Sequence, residues 1–150
     1  MSIDYQLVLA GEIPLEQVAE LVAPAARQTT TRYGEPMLSA PLYEEYGYLV
    51  DITSGSNGYY EAEDDSGSPW IWEPETYVDI NFHMNKEALT EKGKPNMLAA
   101  VARVLAERPE DAALVLNSNW LLLTRVAGVL RRHGTTWWSH HDMDNGIIRQ

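Results

Sequence analysis

Apolar and polar side chains alternate from the start of the chain. Ile3, Tyr5, Leu7 and Leu9 interleave with Asp4, Gln6, Val8 and Ala10, the period-two pattern of a strand, and Gly11 ends it. Pro14 suits the first position of a helix, where its missing N–H would be unpaired in any case. Leu15, Val18, Ala19 and Val22 follow at helical spacing, with Glu16, Gln17 and Glu20 elsewhere on the circumference, which predicts an amphipathic helix over residues 14–26. The threonines of residues 28–32 favour an extended segment. Tyr46, Tyr48, Val50 and Ile52 then alternate with Gly47, Leu49, Asp51 and Thr53 as a second strand, and residues 54–58 (Ser-Gly-Ser-Asn-Gly) carry turn chemistry. Residues 59–68 read as a strand end or a loop exposed to water.

The second half is more regular. Val78, Ile80, Phe82 and Met84 alternate with Tyr77, Asp79, Asn81 and His83, a half-buried strand. Residues 85–94 form a polar connection. Pro95 opens the strongest helix, with Met97, Leu98, Val101, Val104 and Leu105 on one face, and Pro109 closes it. Residues 112–117 and 120–126 are strands around Ser118-Asn119, a tight hairpin turn, and residues 129–132 add a short strand after Gly128. The tail from Thr135 is aromatic and polar without a period.

The order strand, helix, strands, helix, hairpin predicts an α+β fold: a largely antiparallel sheet of about five or six strands with two helices packed on one face. No repeat, linker or composition shift divides the chain, so residues 1–150 are expected to form a single domain.

Charge narrows the partners. Among 150 residues, 22 are acidic and 11 basic, a net charge of −11, and 45% are hydrophobic. That apolar content suits a folded domain, and the acidity argues against nucleic acid, whose phosphates require a basic stripe. Cysteine is absent, which removes disulfides, thiolate metal sites and cysteine nucleophiles. The N-terminus does not read as a signal peptide, and the longest apolar runs are too short to span a bilayer. A cytoplasmic protein with no membrane partner is the expectation.

Catalytic motifs are missing: no phosphate loop, dinucleotide fingerprint, nucleophile elbow or His-Glu-x-x-His occurs. His83 falls on the polar phase of its strand and is expected to be a surface imidazole. His140, His141, Asp142 and Asp144 could offer ligands to a divalent ion. Adjacent histidines on an extended chain point apart, however, and a solvated tail is the favoured reading, so no metal or other cofactor is expected. The many carboxylates (Glu44, Glu45, Glu61, Glu63, Asp64, Asp65, Glu73 and Glu75) could include an acid–base pair, yet no spacing sets any two apart. A small carboxylate-dependent enzyme or a small-molecule-binding domain therefore stands as the alternative to a binding protein.

The triplet Trp70-Ile71-Trp72, flanked by Pro69 and by Glu73-Pro74, places two tryptophans in a rigid, looped segment beside the acidic run. Tryptophans of this kind anchor interfaces, and carboxylates around them would suit a basic partner. The competing reading is a lid packed over the sheet edge. Trp137-Trp138 allows the same two readings.

The stretch from Tyr77 to Lys86 (Tyr-Val-Asp-Ile-Asn-Phe-His-Met-Asn-Lys), followed by Asn96-Met97-Leu98-Ala99-Ala100-Val101, Asp111-Ala112-Ala113-Leu114-Val115-Leu116-Asn117 and Leu121-Leu122-Leu123-Thr124-Arg125, resembles the Sit-family immunity proteins. These are cognate inhibitors of swarming-inhibition toxins delivered between kin cells. The opening residues 3–11 are similar to that family's start. The resemblance covers about the first 22 residues and residues 77–126, and leaves 27–75 outside it. It implies a small protein without catalysis that binds and neutralises a cognate toxin, expected to be basic. Glu44, Glu45, Glu61, Glu63, Asp64, Asp65, Trp70, Trp72 and Glu73 are the toxin-binding candidates, chosen for their charge and aromatic character.

Overall fold

The computed structural model describes residues 2–139. Ten strands and four α-helices follow one another as β1 (Asp4–Ala10), α1 (Leu15–Val22), β2 (Arg27–Thr30), β3 (Pro36–Leu42), α2 (Tyr43–Tyr46), β4 (Tyr48–Ser56), β5 (Tyr60–Glu63), β6 (Pro69–Trp72), β7 (Thr76–Met84), α3 (Lys94–Glu107), β8 (Ala112–Leu116), β9 (Trp120–Val126), β10 (Val129–Arg132) and α4 (Thr135–Ser139). The strands form one sheet in the order β2-β3-β4-β7-β1-β8-β9-β5-β6, with β10 also pairing β9. All pairings are antiparallel except β5 with β9, which meet in parallel at Glu63 and Trp120.

This corrects the expected sheet of five or six antiparallel strands with two helices. The sheet has ten strands and is mixed, and the described residues hold four α-helices. The additional strands are β3, a seven-residue inner strand interrupted by Pro36 and Pro41, and four-residue pieces towards the two ends of the sheet whose period is too brief to read. β2 is wholly exposed, β5 carries the acidic run, and β6 is the Pro69-Trp70-Ile71-Trp72 segment, a strand rather than the expected loop. A strand of four residues takes its conformation from the partner it pairs with, not from its own pattern.

Prolines set the helix ends. α1 stops at Val22, short of the predicted residue 26, because Ala23 precedes Pro24 and is pushed out of the helical region (φ −155°, ψ 80°). α3 starts beside Pro95 and ends where Arg108, next to Pro109, turns extended. The polar connection before α3 is itself helical, a 3-10 turn over Lys86–Ala88 and a wider turn over Leu89–Gly93.

Each strand presents alternate residues to opposite faces of the sheet. On one face Leu7, Leu9, Val50, Ile52, Ile80, Phe82 and Leu114 are fully buried in a core shared with Val18 and Val22 of α1 and Met97, Leu98, Val101 and Val104 of α3. The other face carries Asp4, Gln6, Asp51, Asp79, Asn81 and His83 in its centre. Beside them lies a small apolar patch of Ala62, Ala113, Val115 and Leu121, covered by Trp70 and Trp72.

β9 contributes to both faces because of a bulge. Leu114 pairs Leu123 and Val115 pairs Leu121, so Leu122 is the extra residue. Leu121 packs in the small patch, while Leu122 and Leu123 enter the main core. One tight turn shapes the neighbouring surface. Asn117 and Ser118 (φ 52° and 56°) form the β8–β9 turn, closed by Asn119 N–H donating to Leu116 O at 3.0 Å. Left-handed central residues match the twist of a two-stranded ribbon.

Candidate functional site

The acidic run is held in place by β9. Glu63 pairs with Trp120, and its N–H donates to Asn119 O at 2.8 Å. The turn that follows is built around Asp64, whose Oδ1 accepts from Ser66 N, Ser66 Oγ and Ser68 N at 2.7–3.1 Å. Those hydrogen bonds, Ser66 first, hold the Asp64 carboxyl below its ordinary pKa. Asp65 Oδ1 accepts from Gly134 N–H, which joins the acidic turn to the start of α4, and lies 3.9 Å from His133 Nδ1. Glu63, Asp64 and Asp65 thus line a cleft of about 530 Å³ whose apolar lining is Leu116, Trp120, Leu121, Leu122 and Trp137, with Lys94 and residues 134–136 completing it. Trp120 is 47% exposed.

The remaining sequence candidates divide. Glu61 is exposed on β5 beside the cleft and accepts from Tyr59 Oη at 3.0 Å, and Glu73 is exposed just past β6. Trp70 and Trp72 are half-buried over Ala62, Ala113, Val115 and Leu121, with ring centroids 6.0 Å apart, so they occupy the lid position. The exposed member of that triplet is Ile71. Glu44 and Glu45 are exposed on α2, between β3 and β4, and β7, β1, β8 and β9 separate β4 from β5. They do not join the cleft. Trp138 is buried and donates its indole N–H to Leu122 O at 2.9 Å, while Trp137 stacks edge-on against Tyr5 at 5.9 Å. His140, His141, Asp142 and Asp144 lie outside the described residues.

Trp120 is the residue that the sequence reading missed. Its signal was available: it follows the turn immediately, where a first strand residue sits at the rim of the sheet.

The open sheet face holds a second polar constellation. His83, expected to be a surface imidazole, is instead partly buried and bridges two carboxylates, with Nδ1 2.8 Å from Asp4 Oδ1 and Nε2 3.0 Å from Asp51 Oδ2. The Asp51 hydrogen bond raises its pKa, burial opposes that, and Asp4 adds to the rise. Burial works to raise Asp51 in turn, but the hydrogen bonds from His83 and Ser39 outweigh it and leave that carboxyl low. Serine, histidine and aspartate are therefore adjacent, yet the Ser39 hydroxyl donates to Asp51 Oδ1 at 2.7 Å and makes no bond to the imidazole. A serine nucleophile needs its base on the hydroxyl, so this is not an activated triad.

One step along the face, Asp79 Oδ2 accepts from Gln6 Nε2 at 2.8 Å and Tyr60 Oη at 2.9 Å. Burial pushes the Asp79 carboxyl up to about 6, against the pull of those two donors. Asp79 Oδ1 and Asn81 Oδ1 are buried without a hydrogen-bond partner. Among the described residues no group of three or more histidines and carboxylates is arranged to hold a metal ion, and no helix is long and apolar enough to cross a membrane.

A family model described as SitI3-like matches residues 3–142. The chain belongs to the SitI3-like family. The match runs through residues 27–75, which the resemblance read from the sequence had left out, so the acidic cleft lies within SitI3-like sequence. Membership points to an immunity-type protein and is consistent with a chain that has no catalytic activity. No curated protein and no solved structure matches the chain.

Proposed function

We propose that this chain binds a cognate bacterial toxin domain in the cytoplasm of the cell it protects and neutralises it by covering its working surface, without a reaction of its own. The SitI3-like match over residues 3–142 is the observation that carries this reading.

The cleft beside β5 and α4 supplies the working surface. Its carboxylates sit on a turn that its own hydrogen bonds keep in shape, so little ordering entropy is lost when a partner docks. Its apolar lining and half-exposed Trp120 give a desolvated anchor next to that charge. A net charge of −11 adds a long-range field that draws a cationic partner. The fitting partner is a basic toxin that places an apolar side chain against Trp120 and lysine or arginine against Glu63 and Asp65.

Stopped-flow mixing with a cognate toxin domain tests this. Association should slow steeply as salt is added, since the field of exposed charges is screened beyond about 8 Å at physiological ionic strength. Absence of binding would overturn the function, and an association rate indifferent to salt would overturn the part assigned to charge.

A further inference from the structure

The pairs β4–β7 and β5–β6 are one bent two-stranded ribbon. Their register carries through unchanged: Ser56 pairs Thr76, and Tyr60 pairs Trp72. Between these pairs, Asn57 N–H donates to Glu75 O at 2.7 Å and Gly58 N–H to Pro74 O at 2.9 Å. Successive N–H groups of a flat strand point to opposite sides, so two in a row to one partner mark a sharp bend. Asn57 makes the bend with φ 55°, and Gly58 permits it, since a Cβ there would lie 2.9 Å from the Tyr77 ring. The β5–β6 end of the ribbon is thereby folded over the open sheet face as an arm. Ala62, Trp70 and Trp72 rest on Ala113, Val115 and Leu121, and Glu63 meets Trp120. We propose that this arm lifts from the sheet about residues 57–59 and 73–75 while the main core stays folded, and that ionisation of Asp79 beneath it favours the lifting. This goes beyond the toxin-binding reading and does not depend on it.

Two observations carry this. First, the arm has a core of its own. The buried apolar residues fall into two separate clusters, a large one between the sheet and the helices α1 and α3, and the small one under the arm. Lifting breaks the small cluster, the single pairing step at Glu63 and the hydrogen bond from Gly134 N–H to Asp65, and leaves the large cluster intact. A region with few buried apolar contacts opens at a lower free energy than the whole chain. Second, the arm seats a tyrosine on a buried carboxylate. Tyr60 Oη donates to Asp79 Oδ2 at 2.9 Å, its ring edge-on to Tyr77 at 5.6 Å. From β1, Gln6 donates to the same oxygen, and from β4 the uncharged Thr53 lies opposite. Along β7 the nearest titratable groups on this face are Tyr77 and His83, and His83 pulls on Asp79 through space less than either hydrogen bond does. Under the seated arm Asp79 keeps its proton up to about pH 6, whereas in water it would release it near 3.8. Seating therefore takes up a proton between those values and lifting releases it, so a rise in pH favours the lifted arm, by roughly a hundredfold at most in the ratio of the two states. Glu63, Asp64 and Asp65 ride on the arm while Trp120, Leu122 and Trp137 belong to the body, so the acidic cleft is formed only when the arm is seated.

Native-state hydrogen exchange of the full chain, followed by nuclear magnetic resonance, tests this without any partner. The reporter is the Glu63 N–H, which reaches from the arm to Asn119 O. The amides of Leu7 and Ile80, on the central strands β1 and β7, report the main core. Relative to an unstructured chain, Glu63 should exchange about tenfold or more faster than those two, with little dependence on added urea. After correction for the intrinsic rate, opening at Glu63 should rise between about pH 4.5 and 7.5 by roughly tenfold or more beyond any rise in Asp79→Asn. Tyr60→Phe should raise it by about tenfold at neutral pH, the loss of one hydrogen bond to a charged group. Exchange of Glu63 with the rate and urea slope of the core would mean that the arm opens only when the whole chain unfolds, and would overturn the proposal. A pH response that Asp79→Asn shares in full would overturn the part given to Asp79, and unchanged exchange in Tyr60→Phe would overturn the seating of the arm through that hydroxyl.

Discussion

Replacing Arg125 by methionine should cost this protein a large part of its stability. The side chain is 9% exposed and reaches from β9 to the end of α3, where Nε, Nη1 and Nη2 donate to the carbonyls of Glu110, Leu105 and Arg108 at 2.5–2.9 Å. α3 has no basic residue in its own last turn, so this guanidinium from another element satisfies carbonyls that a helix end leaves unpaired. A hydrogen bond to a charged donor contributes about 1.5–3 kcal/mol net, which sets an upper limit of roughly 5–9 kcal/mol for the three. Burying the guanidinium offsets part of that, and methionine keeps the packing of the aliphatic stem, so the net loss should be about 2–4 kcal/mol. At roughly 2–4 °C per kcal/mol for a chain of this size, Tm should fall by about 4–16 °C in a circular dichroism melt. Arg125→Lys should fall in between, because an ammonium cannot reach three carbonyls as a planar fork does. An Arg125→Met protein that melts with the parent, or an Arg125→Lys protein that does, would refute this account of how α3 is tied to the sheet.

Val101 is fully buried between α3 and the sheet, so Val101→Asp should leave no cooperative melt, and an unchanged transition would disprove the assignment of that helix face. The Asp79 carboxyl holds its proton up to about pH 6 in the folded state against an ordinary value of 3.8. Between those two pH values the native state binds more protons, so stability falls as pH rises through the window and the full penalty, about 3 kcal/mol at most, is present above it. Asp79→Asn retains an oxygen for Tyr60 and Gln6, and should therefore be more stable than the parent at pH 8 with the gain vanishing near pH 4 in urea titrations; a gain that does not vary with pH would contradict the burial argument. The raised pKa of His83 acts in the same direction at higher pH, stabilising the fold fully below about 6.5 and progressively less as pH rises through its folded value. Trp72→Ala should lower stability by about 2–3 kcal/mol, somewhat below a core tryptophan truncation, and leave toxin affinity of the folded fraction intact, since Trp72 covers the small apolar patch and does not line the cleft.

Long periodic segments were legible in the sequence because burial on one face imposes the period directly. β1, β7 and α3 fall where Leu7, Ile80 and Val101 place them. The short strands at the ends of the sheet follow from a different cause. β2, extended as its threonines suggest, has no buried residue, and β6 carries a proline and two tryptophans that suit a loop as readily as an edge, so pairing with β3 and β5 decides where they lie in the sheet. Leu121-Leu122-Leu123 read as a plain apolar run because a bulge sends neighbours to two different cores. The candidate site was legible in its charge at 61–65, since an acidic run beside turn residues stays in water. Its anchor was not. Trp70 and Trp72 attracted attention by composition, while Trp120 earns its place only through the one parallel step that sets β5 against β9. Nothing in the spacing of Glu44 and Glu45 reveals that four strands separate them from the acidic turn. His83 looked solvated because its partners, Asp4 and Asp51, lie on strands distant in sequence.

The most direct measurement is isothermal titration of a cognate toxin domain into the folded parent and into a folded Glu63→Lys/Trp120→Ala protein. The account predicts saturable one-to-one binding by the parent and a loss of about thirtyfold or more in the double variant, the scale of a disrupted hot spot. Equal affinity in the two proteins, or no heat of binding from the parent, would contradict it.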